Sequence, residues 1–269
     1  MKKIILRALF GVLIMAGFFS CSKDEHHDSQ SGKTYVIVPG AWQAPYAWAT
    51  VKAELEQAGN KVVVVELQAH GKDTTADAHT SINLYRDRVV TAVNGLSGKV
   101  ILVGHSLGGE VISAVAEAIP GKIDRLVYLA AFLPASGQSV YDLASTDTTS
   151  LLRISIIQSG YVLDLIHDNI ANIFIQDGTT DEKNLVLSNY RFEPGLPFND
   201  KVTLSATNYG TVKKYYIHTL LDQAVTYKLQ KRMVAGAGII QEYNLNTSHS
   251  PFLSKPDSVT ILLTKIAAQ

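Results

Sequence analysis

Cysteine is nearly absent from this chain, since only one of its 269 residues, Cys21, is a cysteine. The domain beyond it has no thiol, so its fold cannot depend on disulfide bonds. An excess of charge is absent too, because 24 basic and 24 acidic side chains give a formal net charge of +0. Without a basic field, a polybasic stretch in the folded part or an internal repeat, the sequence predicts no nucleic-acid interface.

Apolar residues, in contrast, are plentiful and make up 46% of the chain. This fraction predicts a full core, arranged as one domain with an insertion. From residue 34 onward, apolar runs such as 35–38 and 100–103 alternate with segments such as Trp48, Val51 and Leu55, which are spaced like one face of a helix. Apolar strands separated by amphipathic helices predict an α/β fold class, with a mostly parallel central sheet and helices on both faces.

The alternation breaks after Phe132, and residues 134–208 show no strong buried strand. They contain helix-like pieces at 151–157 and 161–175, with proline and glycine punctuation at 194–197. Because a bare loop of this length is uncommon inside a compact domain, we predict an inserted, mainly helical lid over the carboxyl edge of the sheet. The alternation then resumes and completes a domain that spans residues 34–269.

A short glycine-flanked motif, Gly104-His-Ser-Leu-Gly108, separates the apolar run at 100–103 from a helix-like segment. A strand, a sharp turn and a helix force the central serine into a strained conformation, which requires tiny residues two positions away on each side. Ser106 is therefore the predicted nucleophile, and the N–H of Leu107 is a predicted oxyanion donor. The alternative is a glycine-rich strand–helix turn without chemistry.

A serine nucleophile needs a base and a carboxylate that orients the base, in the chain order serine, acid, histidine for this architecture. His249 lies after the last predicted strand and Asp222 after the strand before it, so these two are the predicted base and acid. The alternatives are a surface-loop histidine and an aspartate that caps the following helix. His70 lies in a His-Gly turn and receives no role.

The remaining site predictions concern a backbone donor and aromatic side chains. Gly40 lets the loop after the first strand turn inward, so the N–H of Ala41 is the predicted second oxyanion donor. Trp42 in the same loop, and Tyr161 and Phe174 in the lid, are predicted to line an apolar substrate pocket. This chemistry needs neither a metal nor an organic cofactor.

These motifs together resemble the α/β-hydrolase superfamily, and within it the branch of plant methylesterases and hydroxynitrile lyases with its bacterial relatives. The resemblance covers nearly everything from Tyr35 onward and includes the Gly-His-Ser-x-Gly-Gly pattern at 104–109. It implies the α/β-hydrolase fold, and it places the family's acid and histidine at Asp222 and His249.

Two departures from that branch bear on the activity. Pro39 stands where the family usually has a histidine before the oxyanion glycine. The lyase members have a lysine and a threonine where this chain has Ser250 and Ala41. Since the lysine would stabilise a leaving cyanide, the resemblance favours an esterase over a lyase.

The resulting hypothesis is a serine hydrolase that cleaves a small or medium carboxylic ester through an acyl-enzyme. Its expected partner is a small-molecule ester, and the sequence predicts no particular oligomeric state. Two alternatives belong to other classes. One is a non-hydrolytic catalyst on the same fold, such as a hydroxynitrile-lyase-like enzyme, and the other is a slow-turnover ligand-binding protein.

The N-terminus has the pattern of an export signal. Lys2, Lys3 and Arg7 precede an apolar run at 9–19 that is too short to span a bilayer comfortably. Cys21 follows at once, which resembles a bacterial lipobox whose cysteine is acylated. We expect a signal peptide at 1–20, a tether at 21–33 and lipid anchoring at the bacterial cell envelope, periplasmic or surface-facing. The alternative is an ordinary cleaved signal peptide.

Overall fold

The computed structural model describes residues 32–269. The predicted signal peptide, Cys21 and all but the last two residues of the predicted tether lie outside these described residues. Between residues 32 and 269, no helix is both long and apolar enough to cross a membrane.

Strands account for one central sheet and one small sheet. In chain order they are β1 (Thr34–Val38), β2 (Lys61–Val64), β3 (Val100–His105), β4 (Ile123–Leu129), β5 (Ile156–Ser159), β6 (Val162–Leu165), β7 (Glu193–Pro194), β8 (Lys213–Thr219) and β9 (Glu242–Leu245). The central sheet has the order β2-β1-β3-β4-β8-β9, and all of its neighbouring strands are parallel. The predicted parallel sheet is confirmed.

Helices cover both faces of the central sheet, as the α/β pattern predicts. In chain order they are α1 (Ala49–Gln57), α2 (Ile82–Asn94), α3 (Gly108–Ala118), α4 (Val140–Ala144), α5 (Leu151–Ser155), α6 (Ile170–Phe174), α7 (Thr180–Ser188), α8 (Tyr227–Ala237), α9 (Pro251–Ser254) and α10 (Pro256–Ala267). Two separate apolar clusters pack against the sheet, one with α2, α3 and α8 and the other with α1, α9 and α10.

The alternation of side chains along β1 shows why its sequence is continuously apolar. Val36 and Val38 belong to the cluster with α2 and α3, whereas Tyr35 and Ile37 belong to the cluster with α1 and α10. Successive residues of a strand point to opposite faces, so a strand with helices on both sides needs an apolar residue at every position.

The lid between β4 and β8 contains α4 to α7 and also a small antiparallel sheet in the order β5-β6-β7. The sequence carries no clear sign of this sheet. Its pattern predicts one helical piece at residues 161–175, whereas the structure has strand β6, a short connection and helix α6. The residues of β6 alternate between half-buried and buried positions, and four residues are too few for this period to stand out.

Helix α3 is almost entirely buried, and one of its buried residues is a glutamate. Residues 108–116 of this helix are buried, and Glu110 among them has 0% exposure. Desolvation by burial raises the pKa of Glu110 from 4.5 to about 9. The carboxyl group is therefore protonated, and neutral, at physiological pH.

We predict that Glu110→Gln raises the free energy of unfolding and flattens its pH dependence. A carboxyl whose pKa is raised by folding binds its proton more tightly in the native state, so the native state loses stability as pH rises from 4.5 towards 9. Near pH 7 this cost is on the order of 3 kcal/mol. Urea unfolding at several pH values between 5 and 9 measures the effect.

A second carboxyl on the same helix is the control for that prediction. The carboxylate of Glu117 accepts hydrogen bonds from Ser205, from the side chain of Asn208 and from the N–H of Tyr209. Burial raises the pKa of Glu117, but these hydrogen bonds outweigh burial and lower the pKa below its usual value. Glu117→Gln is therefore expected to lose stability at neutral pH. Equal pH slopes for wild type and Glu110→Gln would contradict the assignment of a neutral Glu110.

Candidate active site

Ser106 lies in a sharp turn between β3 and α3. Its backbone φ of +52° is in the left-handed region, which side-chain-bearing residues rarely adopt. A Cβ on Gly104 would lie 2.6 Å from the carbonyl oxygen of Gly108, and a Cβ on Gly108 would lie 2.5 Å from that of Val38. Both positions therefore require glycine, and the turn has the strained geometry that the motif predicts.

Asp222 and His249 are brought together from two loops that follow neighbouring strands, β8 and β9. His249 Nδ1 lies 2.8 Å from Asp222 Oδ2, and both side chains are buried, at 1% and 0% exposure. Its other ring nitrogen, Nε2, is buried and has no hydrogen-bond partner within residues 32–269. With the carboxylate accepting from Nδ1–H, Nε2 is left as the basic nitrogen of the ring.

Asp222 is held by a dense set of donors. Its Oδ1 accepts from the N–H groups of Ala224 and Val225 at 2.8 and 2.9 Å. Its Oδ2 accepts from the Thr219 hydroxyl at 2.7 Å and from the Gln230 amide at 3.1 Å, besides His249. Five donors to one buried carboxylate fix its orientation.

His105, immediately before the serine, is a residue whose role the sequence analysis missed. Its Nε2 lies 3.0 Å from the carbonyl oxygen of His249, and its ring packs against His249 and Phe252. Burial, and then the nearby His249, lowers the pKa of His105 well below its usual value. A neutral His105 can donate through Nε2–H, so it links the serine turn to the loop of His249.

The loop after β1 lies directly on the serine turn. A Cβ on Gly40 would be 2.5 Å from the Cβ of Ser106, so only glycine allows this approach. Inside the described chain, the N–H groups of Ala41 and Leu107 donate to no protein acceptor, whereas the N–H of Trp42 donates to Glu193 Oε2 at 2.6 Å. The two predicted oxyanion donors are therefore the ones left free, and Trp42 is not available as a third.

Two of the three predicted aromatic residues lie close to these loops. Trp42 packs against Phe174 and Phe198 with ring centroids 6.0 and 5.8 Å apart, and Phe174 is 6.0 Å from the ring of His249. Tyr161 is not part of this group. It lies at the turn between β5 and β6 with 58% exposure, which corrects its predicted place in the pocket. The unpredicted hairpin is the reason, because it carries Tyr161 outward.

A cavity of about 910 Å³ lies between the lid and the sheet. Apolar residues that line it include Phe132, Leu152, Leu163, Phe198 and Leu229. Phe132 donates its N–H to the carbonyl oxygen of Ser106 at 3.0 Å, so a residue of the cavity wall is hydrogen-bonded to the serine turn. As to metals, residues 32–269 contain no cluster of three histidine, cysteine or carboxylate side chains that could hold an ion.

Comparison with known proteins identifies the class. Residues 35–260 match the model of the Alpha/beta hydrolase family, and this chain belongs to that family. Putative methylesterase 11, chloroplastic, from Arabidopsis thaliana is 32% identical over 247 residues, which cover 87% of this chain and 63% of that protein. The chain thus spans less than two thirds of the length of this relative.

Solved structures show the same fold. Polyneuridine aldehyde esterase superimposes with a TM-score of 0.78 at 24% identity, covering 88% of this chain and 99% of that one. An extracellular alpha/beta-hydrolase from a Paenibacillus species gives a TM-score of 0.76 at 24% identity, covering 87% and 98% of the two chains. The predicted membership of the α/β-hydrolase superfamily is confirmed, and the chain is similar to plant methylesterases.

We predict that Gly40→Ala destabilises the protein by about 1–3 kcal/mol, the usual cost of overpacking a buried site. The added methyl group would lie 2.5 Å from the Cβ of Ser106 and 2.8 Å from Nδ1 of His105. Gly121→Ala is the matched control, because a Cβ there meets no atom within 4 Å. Urea midpoints compare the two variants, and equal midpoints would contradict the close approach of the loops.

Proposed function

We propose that this protein is a serine esterase that hydrolyses small or medium carboxylic esters through an acyl-enzyme. The observation that carries the proposal is the 2.8 Å contact of Asp222 with His249 Nδ1. It leaves Nε2 buried and without a hydrogen-bond partner among residues 32–269. The carbonyl oxygen of His249 accepts a hydrogen bond from Nε2 of His105, the residue just before the strained Ser106. This arrangement is what a serine nucleophile with a general base requires.

In the proposed reaction, Ser106 Oγ attacks the ester carbonyl carbon while His249 Nε2 takes the hydroxyl proton. The carbonyl oxygen becomes an oxyanion that accepts from the N–H groups of Ala41 and Leu107. Collapse of this intermediate breaks the bond to the alcohol, which leaves with the proton from His249. Water then attacks the acyl-enzyme with His249 as base again, and the acid and free Ser106 are released.

The substrate proposal rests on the shape of the site and on the relatives. The cavity under the lid has a volume of about 910 Å³, in the range of small-molecule sites, and it has both apolar and polar walls. It reaches the serine turn through Phe132, which donates its N–H to the carbonyl oxygen of Ser106. Several relatives are named methylesterases, among them methylesterase 7 of Arabidopsis thaliana at 27% identity. We therefore infer a compact alcohol group, such as a methyl ester, and an apolar acyl group held by the lid.

A lyase reaction is disfavoured by the environment of Ser250. Its Oγ accepts a hydrogen bond from Gln43 Nε2 at 2.8 Å, and Ser250 is fully buried. No cation occupies this position to stabilise a leaving cyanide. A slow-turnover binding protein would keep the same pocket, so measured turnover separates it from an esterase.

We predict that Ser106→Ala, His249→Ala and Asp222→Asn each lower ester hydrolysis by about 10⁴–10⁶-fold, with effects that do not add because the three groups act as one unit. The measurement is kcat on p-nitrophenyl esters of graded chain length. Asp200→Asn is a control, since that carboxylate accepts a hydrogen bond from the N–H of Ile82 and from no other group of the described residues 32–269. Wild-type turnover by Ser106→Ala would overturn the mechanism, and absent wild-type turnover would favour a binding protein.

We also propose that the enzyme is exported and lipid-anchored at a bacterial envelope membrane through Cys21. The support is the sequence alone, where an apolar run at 9–19 leads to the only cysteine. Two or more acyl chains give stable anchoring, whereas one chain gives marginal binding.

Intact-mass analysis of membrane-extracted protein tests the anchor. The expected mature chain begins at Cys21 and carries added acyl mass, and a Cys21→Ala control should lose that mass and the membrane association. An unmodified product that is cleaved elsewhere would contradict the proposal.

A further inference from the structure

Trp42 has a backbone conformation that needs external support. Its φ is +58°, in the left-handed region, although it is a bulky residue and not a glycine. Such conformations persist where the surroundings fix them. The contacts of Trp42 come from the lid: its N–H donates to Glu193 Oε2 at 2.6 Å and its indole N–H to the carbonyl oxygen of Leu163 at 3.3 Å.

Glu193 is a buried carboxylate that lies between the oxyanion loop and a second loop. It belongs to β7 in the lid and has 0% exposure. While Oε2 accepts from Trp42, the carboxylate also lies 3.1 Å from His70 Nε2. One lid carboxylate thus contacts the loop after β1 and the loop after β2 at once.

The hydrogen-bond partners of His70 favour its doubly protonated, cationic form. Its Nε2 faces Glu193, and its Nδ1 lies 2.9 Å from the carbonyl oxygen of Gln68, so both ring nitrogens face acceptors. A neutral imidazole has one N–H and satisfies only one of them, whereas imidazolium satisfies both. Burial lowers the pKa of His70, but the charge and hydrogen bond of Glu193 together with the hydrogen bond to Gln68 outweigh it, so the pKa is raised above 6.5.

Other ionisable groups around His70 come from every neighbouring element. Arg191, next to β7, acts on His70, and the ring of Tyr85 in α2 lies 5.5 Å from that of His70. Asp73 of the same loop accepts from the N–H of Ala69, and Asp77 acts on Tyr85. Arg191 opposes the charge on His70, but it donates to the carbonyl oxygens of Gly71 and Asp73 and is partly occupied there. Glu193 remains the carboxylate in direct contact with the ring.

We propose that Glu193 and His70 form a buried ion pair that positions the oxyanion loop by holding the Trp42 N–H, and with it the preceding N–H of Ala41. The inference rests on the proposed function, since it assigns the loop a catalytic use. Neither residue touches the substrate, so both are positioning residues. The structural consequence is that the oxyanion hole is complete only when the lid is docked on the loop after β1.

The ion pair also predicts how the activity depends on pH: the activity falls when an increase in pH neutralises His70. Because folding raises the pKa of His70, the pair is fully formed below 6.5 and is lost as pH rises through the folded-state value. Above that value the neutral ring cannot satisfy both acceptors, and the support of Glu193 weakens. We expect kcat to fall on this alkaline side while KM changes little.

Two substitutions at Glu193 separate positioning from general stability. In Glu193→Leu, Trp42 and His70 lose their acceptor, so the rate of Ser106 labelling by a fluorophosphonate probe should fall by about 10²-fold, as for a misplaced oxyanion donor. In Glu193→Gln, the amide oxygen can accept from Trp42 and the amide N–H can donate to a neutral His70 Nε2. This variant should keep most of the activity, and its activity should not fall on the alkaline side.

Asp200→Asn is the matched control, because Asp200 is also a lid carboxylate that accepts a backbone N–H, that of Ile82, but it does not contact the oxyanion loop. It should label like wild type with the same pH profile. Labelling of Glu193→Leu within twofold of wild type, or equal losses in Glu193→Leu and Asp200→Asn, would overturn the proposal.

Hydrogen–deuterium exchange of the peptide that spans residues 39–48 provides a readout independent of chemistry. Faster exchange in Glu193→Leu than in Asp200→Asn supports the link from the lid to the loop, and unchanged exchange overturns it. If wild type is labelled but hydrolyses no ester, the proposed function fails while the labelling comparison still decides the positioning role. If wild type is not labelled, exchange alone decides it.

Discussion

Close packing of backbone on backbone at the carboxyl edge of the sheet is the constraint on which the site depends. A Cβ added at Gly40, Gly104, Gly108 or Gly109 would lie between 2.1 and 2.6 Å from a neighbouring atom, and three of these neighbours are carbonyl oxygens. Side chains there would separate the elements. Without them, the ends of β1 and β3 and the start of α3 converge, and ligands of open α/β sheets bind at this edge.

This edge also concentrates backbone strain. The residues other than glycine with positive φ in the described chain are Trp42, Ala69, Ser106 and Ala130, which follow β1, β2, β3 and β4. Each is tied by its own hydrogen bonds, such as Ala69 N–H to Asp73 Oδ1 and Ala130 N–H to the carbonyl of Ile217. Such strain costs about 1–3 kcal/mol per residue and persists only where the surroundings over-determine the conformation.

The parts of this protein that follow local rules could be predicted from sequence. The periodicity that marks β1, α1 and β3 is local, and so is the glycine spacing around Ser106, because the strained turn dictates it. Chain order in this architecture was sufficient to select Asp222 and His249, which the structure brings within 2.8 Å.

What could not be predicted depends on contacts between residues far apart in sequence. The strand β6 has four residues, and its partner β7 begins about thirty residues later, so no local period marks the small sheet that turns Tyr161 outward. His70 likewise looks like an ordinary turn residue, since its partner Glu193 is 123 positions away in the sequence.

The lid lines the cavity of about 910 Å³, and it also holds the two loops that carry the proposed chemistry. On the histidine side, Phe174 accepts hydrogen bonds at its carbonyl from Ser248 and Ser250, and Asp177 accepts from the N–H and hydroxyl of Ser248. In the loop after β1, which carries the proposed oxyanion donor Ala41, the N–H of Trp42 donates to Glu193 of the lid.

Both sets of bonds are buried or part-buried, so moving the lid away would leave polar groups without partners in both loops at the same time. A change in lid sequence can therefore alter the rate of the chemical step as well as the choice of ester. Substitutions at these anchor residues would therefore disturb both loops, whereas substitutions at the apolar positions between them would change mainly the shape of the cavity.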